Sequence, residues 1–293
     1  MVSFRPLNLA DLPVIRPFFA MTKSRLCDCS SVLAMWRGDF ATEIAFGGDT
    51  LYVKQHYGGL PTFMTPLGGD FFAGMETILA YCRAYSRKAL FSAVARDELD
   101  ALRQRYPIIR AEPMRDWYDY LYESADLIEL KGRRFHGQRN HISRFDREHP
   151  DHAYGPLTDT AAARAFLGRY YQKQPPADAI GRFDQSLVYE VLERYGEYGQ
   201  LGGVLTAGGE IVSVSIGEVV GDTLFIHIEK ADTGYSGAYQ KTVNGFARLY
   251  GGGVRYINRE EDMGIEGLRK SKLSYHPAAL LEKYTVEISL DGN

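Results

Sequence analysis

At 293 residues the chain has room for two domains of ordinary size or for one large one. Its 45% hydrophobic and 24% charged content exclude a disordered or fibrous chain. A net charge of −3 argues against a general nucleic-acid coat, and three cysteines are too few for a disulfide framework. Cys27 and Cys29 form a C-x-C pair, but a structural zinc site takes about four ligands, so no metal is expected. The first residues lack the apolar core of a secretory signal, and no run approaches the ~20 apolar residues of a membrane span. A cytoplasmic location is therefore expected.

A helix is expected after Asp11, the candidate N-cap, with Pro13 in its first turn. Residues 40–46 and 50–55 read as strands joined by Gly47, Gly48 and Asp49, with 62–66 as a third. Residues 71–87 are amphipathic, with Met75, Ile78, Leu79 and Cys82 on one side. A strand at 90–95, a helix at 97–106 and a strand at 117–123 follow. In that last strand Tyr118, Tyr120 and Tyr122 alternate onto one face, either with hydroxyls reaching partners at its edge or as the wall of an aromatic channel. Strands alternating with helices predict a layered α/β unit.

Residues 127–149 read as a basic helical region. Lys131, Arg133, Arg134, Arg139, Arg144 and Arg147 crowd it, with His136 and His141 among them. One reading is a solvated helix face, or partners for acidic residues of the other domain. The other is a contact for the phosphates of tRNA or for an anionic lipid headgroup, to which the forks of Arg133, Arg134, Arg139 and Arg144 are suited. A strand at 152–157 and a helix from the Thr158-Asp159 cap to 171 come next. A break at 174–177 and a helix at 184–195 follow. Residues 202–207 and 210–218 form a hairpin about Gly208 and Gly209, and 222–230 adds the next antiparallel strand.

A loop carrying Asp232, Thr233, Gly234, Ser236 and Gly237 then leads into a helix at 238–250. A short strand at 254–258, a helix at 265–273 and a final strand at 279–290 complete the order. Strand, glycine loop, helix and strand make a βαβ unit. Its loop lies at the carboxyl end of the first strand, where open α/β sheets bind ligands. The helix start there offers N–H groups to an anion.

This strand–loop–helix resembles the core of the GNAT acyltransferase fold, whose loop grips the pyrophosphate of an acyl carrier; Gly234 and Gly237 match its glycines. The runs NREEDMGIEGLRKSKLSYHP (258–277) and DYLYESADLIELKGRRFHGQRNHISRF (119–145) are similar to an uncharacterised, DUF2156-type family. That family is related to the carboxyl-terminal domain of phosphatidylglycerol lysyltransferases. Those are tandem GNAT-like chains akin to the Fem peptidyltransferases, which use aminoacyl-tRNA. The resemblance implies an α/β (α+β) fold of two GNAT-like domains, 1–125 and 126–293, each a mixed, largely antiparallel sheet flanked by helices. It implies an acyltransferase without a tightly bound cofactor, whose donor is either aminoacyl-tRNA or acyl-CoA. Charged tRNA and a lipid headgroup or small amine are the implied partners. An ordinary acyl-CoA N-acyltransferase and a non-catalytic metabolite- or tRNA-binding protein are the rival readings.

Acyl transfer needs a docked donor, a base for the nucleophile and donors for the oxyanion. The dock falls on the backbone N–H groups of Gly234, Tyr235, Ser236, Gly237 and Ala238. Glu229, at the carboxyl end of its strand, is the first candidate base, and His227 the second. Tyr239 is the candidate general acid. Glu260, Glu261 and Asp262 together would hold an amino group or raise one another's pKa, unless they only begin the next helix. Asn258 would orient a carbonyl. Arg269 and Lys272, three apart on one helix, would hold a phosphate or carboxylate.

Overall fold

The structure, a computed structural model, describes residues 2–22 and 24–291. Two compact units divide the chain: the first runs to Asp119, takes in Glu261–Ile265 and resumes at Leu280. The second comprises Tyr120–Glu260 and Glu266–Ala279.

In the first unit, β1 (Arg5–Pro6), β2 (Glu43–Gly47), β3 (Thr50–Tyr57), β4 (Leu60–Phe63), β5 (Ala89–Ala95) and β6 (Ile108–Pro113) are joined by a late strand, β14 (Lys283–Ile288). The sheet order is β1-β2-β3-β4-β5-β14-β6. Neighbours are antiparallel except β4 and β5. Four helices accompany it: α1 (Leu12–Met21), α2 (Val32–Met35), α3 (Phe71–Ala84) and α4 (Arg96–Arg105). Asp70 caps α3 by accepting from the Ala73 N–H. The expected apolar side of α3 is buried with Phe63, Phe91 and Val286 in one core. Asp11 does not cap α1; its carboxylate takes Arg5 at 2.7 Å and the Asn8 N–H at 2.8 Å instead. The final stretch, expected as one strand, breaks at Glu282, and β14 pairs with β5 and β6.

The second unit is built on β7 (Asp119–Glu123, from Tyr120 onward), β8 (Ala153–Pro156), β9 (Leu201–Ala207), β10 (Glu210–Val220), β11 (Thr223–Ala231), β12 (Tyr256–Asn258) and the first residue of β13 (Ala279–Leu281). Their order is β13-β7-β12-β11-β10-β9-β8. Its helices are α5 (Ser124–Glu129), α6 (His136–Glu148), α7 (Thr160–Lys173), α8 (Ala179–Glu193), α9 (Tyr195–Tyr198), α10 (Ala238–Tyr250) and α11 (Glu266–Leu273). β11 and β12 run parallel on either side of α10, the βαβ unit expected from the sequence. Tyr120 and Tyr122 are fully buried.

The basic region is not one helix. α5 stops at Leu130, which is left-handed at φ 49°, and Gly132 at φ 86° turns the chain before α6. Asn244 from α10 satisfies the carbonyls of Leu127 and Ile128 at 2.7 and 2.9 Å. Arg139 donates to the carbonyls of Leu130 and Gly132, placing positive charge on the carboxyl end of α5. The expected division at 125/126 falls inside α5, and the last strand belongs to the first sheet.

Candidate functional site

In the second unit the charged groups gather around β11 and the turn after β12. A bulge leaves His227 as the extra residue between the pairs Ile216↔Ile228 and Gly217↔Ile226. Gly217 is needed there, because a Cβ would lie 2.0 Å from the Phe225 carbonyl oxygen. His227 is wholly buried, with Nδ1 2.6 Å from Glu260 and Nε2 3.1 Å from Glu218. Burial alone would lower its pKa, but the carboxylates of Glu260 and Glu218 reverse that and raise it to about 9. At neutral pH both nitrogens therefore carry protons, and neither can accept one. His227 is a structural imidazolium rather than the base expected of it.

Glu229 is held by Arg259 at 2.8 Å. The Arg259 side chain is only 6% exposed and lies against the rings of Tyr122 and Tyr275, 5.9 and 4.9 Å from their centroids. Its Nε and Nη1 have no hydrogen-bond partner among the described residues. Buried guanidinium N–H groups without partners are rare, since each lost bond carries a desolvation cost. Burial opposes its charge, yet Glu229 keeps it ionised. Arg259 is the residue sequence reasoning missed: it stands between two candidates, and nothing in the local pattern marks an arginine as buried.

The residues around Arg259 build its turn. Asn258, fully buried, accepts from the Glu260 N–H at 2.6 Å, and Glu260 itself is left-handed at φ 57°. The buried Lys272 ammonium donates to the carbonyls of Arg259 and Glu260, and the Tyr122 hydroxyl donates to the Lys272 carbonyl at 2.8 Å. Asn258 and Lys272 thus shape the backbone of this turn. On α11 Arg269 is half-buried and Lys272 is buried. The three consecutive carboxylates also diverge. Glu260 goes to His227, whereas in the first unit Asp262 is buried against Arg115 at 3.1 Å and Glu261 lies 3.4 Å from the Cys27 sulfur.

The loop after β11 is closed on itself. Asp232 accepts from the Gly234 N–H at 2.9 Å and pairs with Lys173 at 2.6 Å. The N–H groups of Tyr235 and Ala238 go to the carbonyls of Asp232 and Tyr235, and the Tyr235 ring lies 4.9 Å from His149. Burial pushes the Asp232 carboxyl up, but Lys173 and the Gly234 N–H bring it below its ordinary value, so it is ionised. Ser236 is half-buried beside it. Gly237 sits at φ 88°, where a Cβ would meet the His141 carbonyl oxygen at 2.2 Å; its smallness serves the packing on α6. The Tyr239 hydroxyl faces that of Tyr170 at 3.5 Å, and burial first, then Tyr170, raises its pKa. Of the basic candidates, Arg134 pairs with Asp126 at 2.6 Å and Arg144 with Glu148 at 2.7 Å, while Arg133 is exposed.

Residues 19–287 match the family described as phosphatidylglycerol lysyltransferase, C-terminal, and the chain belongs to that family. Its two seven-stranded, mostly antiparallel sheets flanked by helices share their fold with FemX (TM-score 0.50, 9% identity, 97% and 96% covered). It is similar, at 33% identity and TM-score 0.90, to a conserved protein of unknown function from Bacteroides thetaiotaomicron, over 99% of this chain and 100% of that one. The fold is shared with the carboxyl-terminal DUF2156 domain of a proposed lysylphosphatidylglycerol synthetase from Agrobacterium fabrum (TM-score 0.70, 14% identity, 97% and 93% covered). It is also shared with L-PGS from Bacillus licheniformis (TM-score 0.64, 16% identity, 95% and 92% covered). A curated relative, an uncharacterised protein of Mycoplasmoides gallisepticum, is 22% identical over 58% of this chain, which spans 56% of that protein. Among the described residues no helix is long and apolar enough to cross a membrane.

Proposed function

We propose that the chain is an acyltransferase that takes an aminoacyl group from charged tRNA and passes it to a hydroxyl of an anionic lipid headgroup. The observation that favours this donor over acyl-CoA is Asp232. Its ionised carboxylate closes the loop in which a GNAT enzyme would seat a pyrophosphate, and it occupies the Gly234 N–H that would serve it. Family membership supports the acyl-transfer class, and the exposed Arg133 on the approach to α6 supports a phosphate-bearing partner.

In this reading the acceptor hydroxyl attacks the ester carbonyl and yields its proton to Glu229. The Nε and Nη1 of Arg259 take up charge on the developing oxyanion. The acyl–oxygen bond to the tRNA ribose breaks, Tyr239 supplies the proton to that oxygen, and the proton taken up by Glu229 returns to Tyr239, so that both groups end as they began. Glu229 lies close enough for its charge to raise the pKa of Tyr239.

The test uses tRNA charged with radiolabelled lysine or alanine and vesicles with or without phosphatidylglycerol. The expected result is label in the lipid extract, dependent on phosphatidylglycerol and lost in Glu229→Gln, with folding checked by circular dichroism. Transfer from acetyl-CoA, or a rise in melting temperature with coenzyme A, would overturn the donor assignment. Binding of charged tRNA without transfer would leave a binding protein.

A further inference from the structure

The first unit contains a cavity of about 60 Å³ that has no part in the chemistry above. Four aromatic residues, Trp36, Phe40, Tyr57 and Trp117, line it. Trp36, Phe40 and Tyr57 follow one another at centroid spacings of 6.0 and 6.5 Å, and their planes turn by 34° and 37° from ring to ring. At such spacings the three rings lie side by side and make a shallow trough. Trp117 stands across its end, 6.2 Å from Tyr57 and at 81° to it. The Trp117 indole N–H donates to the Tyr57 hydroxyl, which holds that corner.

Most of the remaining wall is neutral: Val32, Gln55, Ser92, Ala93 and Met114. Ser92 donates its hydroxyl proton to Thr62 at 3.1 Å, and the Gln55 amide nitrogen donates to Thr42 at 3.2 Å. Their oxygens keep lone pairs to offer. Lys283 also borders the cavity, with its ammonium 2.7 Å from Asp28, 2.9 Å from Asp119 and 3.1 Å from the Cys27 sulfur. An ammonium has three N–H donors, and these three partners account for them. Asp28 and Lys283 balance each other's charge, and a carboxylate can accept about four hydrogen bonds, so Asp28 has capacity left. The polar part of the wall thus offers acceptors and calls for no charge.

Flat rings, acceptors and a small volume together select one ligand chemistry. A planar aromatic ring can lie in the trough and meet Trp117 edge to face, an arrangement that aromatic pairs favour. A donor on its rim satisfies the acceptors. An aliphatic chain of the same volume forgoes both interactions. The space holds roughly four to six waters, which a single small ring system replaces.

We propose that this cavity binds a neutral aromatic molecule with an N–H or O–H donor on its rim, seated in the trough of Trp36, Phe40 and Tyr57 against the upright ring of Trp117. Two sources present that chemistry, phenols and amino-substituted nitrogen heterocycles. The inference stands whether or not the transfer reaction does.

The chain's two tryptophans, Trp36 and Trp117, both line the cavity, so intrinsic emission reads the site directly. The full chain is titrated with phenol and with cytosine, one from each source, and N-acetyltryptophanamide run in parallel corrects for collisional quenching. Two controls remove one feature apiece. Toluene keeps the ring and lacks the donor, whereas cyclohexanol keeps the hydroxyl and lacks the flat face. A saturable emission change is expected with phenol or cytosine. The tighter of the two should bind about fivefold better than either control, as the loss of one hydrogen bond or one aromatic pair implies. Response to phenol alone identifies a phenolic source, and response to cytosine alone a heterocycle. Trp36→Ala, read through Trp117, should weaken binding about fivefold. Phe40→Ala, read through both tryptophans, is the second variant should Trp36→Ala fail to fold; both positions are half-buried. No saturable response to phenol or cytosine, equal affinity for toluene or cyclohexanol, or unchanged affinity in the folded variants would overturn the proposal.

Discussion

Raising the pH should unlock the second unit at His227. The imidazole titrates at about 9 in the folded chain, against its ordinary 6.5. A raised folded-state pKa means the stabilisation is fully present below pH 6.5 and disappears as pH climbs through 9. The gap corresponds to roughly 3 kcal/mol at about 1.4 kcal/mol per pH unit. The side chain is completely buried between Glu218 and Glu260, so solvent screening removes little of it. Urea unfolding should be followed by far-UV circular dichroism from pH 6 to 10, because both tryptophans lie in the first unit. Other groups titrate in the same window, so the informative quantity is the difference between the wild type and His227→Gln. That difference should shrink by roughly 3 kcal/mol across the range. Parallel curves would refute the bridged imidazolium and restore His227 as a candidate base.

Other expectations follow from close contacts. Gly237→Ala should lower stability by about 2–4 kcal/mol, because its Cβ would strike the His141 carbonyl at a backbone angle alanine disfavours. A melting temperature within a degree of wild type would show that α6 can shift. Lys283→Met strands the carboxylates of Asp28 and Asp119 and should cost about 3–5 kcal/mol, seen as an earlier tryptophan transition in urea. An unchanged midpoint would mean those acids are hydrated or protonated.

Much of the framework was legible because it rests on local periodicity. Gly208 and Gly209 marked the β9–β10 hairpin, and the spacing of Val243, Phe246 and Ala247 marked the buried side of α10. β6 was missed because it is an edge strand whose residues are mostly exposed, which leaves little apolar alternation. α8 begins earlier than its apolar pattern, at Ala179, because Asp178 caps it. The site was less legible. Residues 260–262 look alike in sequence, but left-handed Glu260 and Met263 turn the backbone and send each acid to a different partner. Single-chain periodicity carries no sign of where a long-range partner sits, so neither the Arg259–Glu229 pair nor the Lys283–Asp119 pair could be read from it.

The place of β14 in the first sheet has a consequence for how the chain comes to be folded. β5 and β6 are synthesised before the second unit, yet the strand that bridges them follows it. Until β14 emerges, the first sheet has a gap one strand in from its edge, with β5 and β6 unpaired on the sides that face it and Asp28 and Asp119 without the Lys283 ammonium. Closing so distant a contact is slow, and open edges invite pairing with other chains. The second unit is thus finished while the first waits, and a nascent chain cut short before Lys283 would carry an aggregation-prone half beside a completed one.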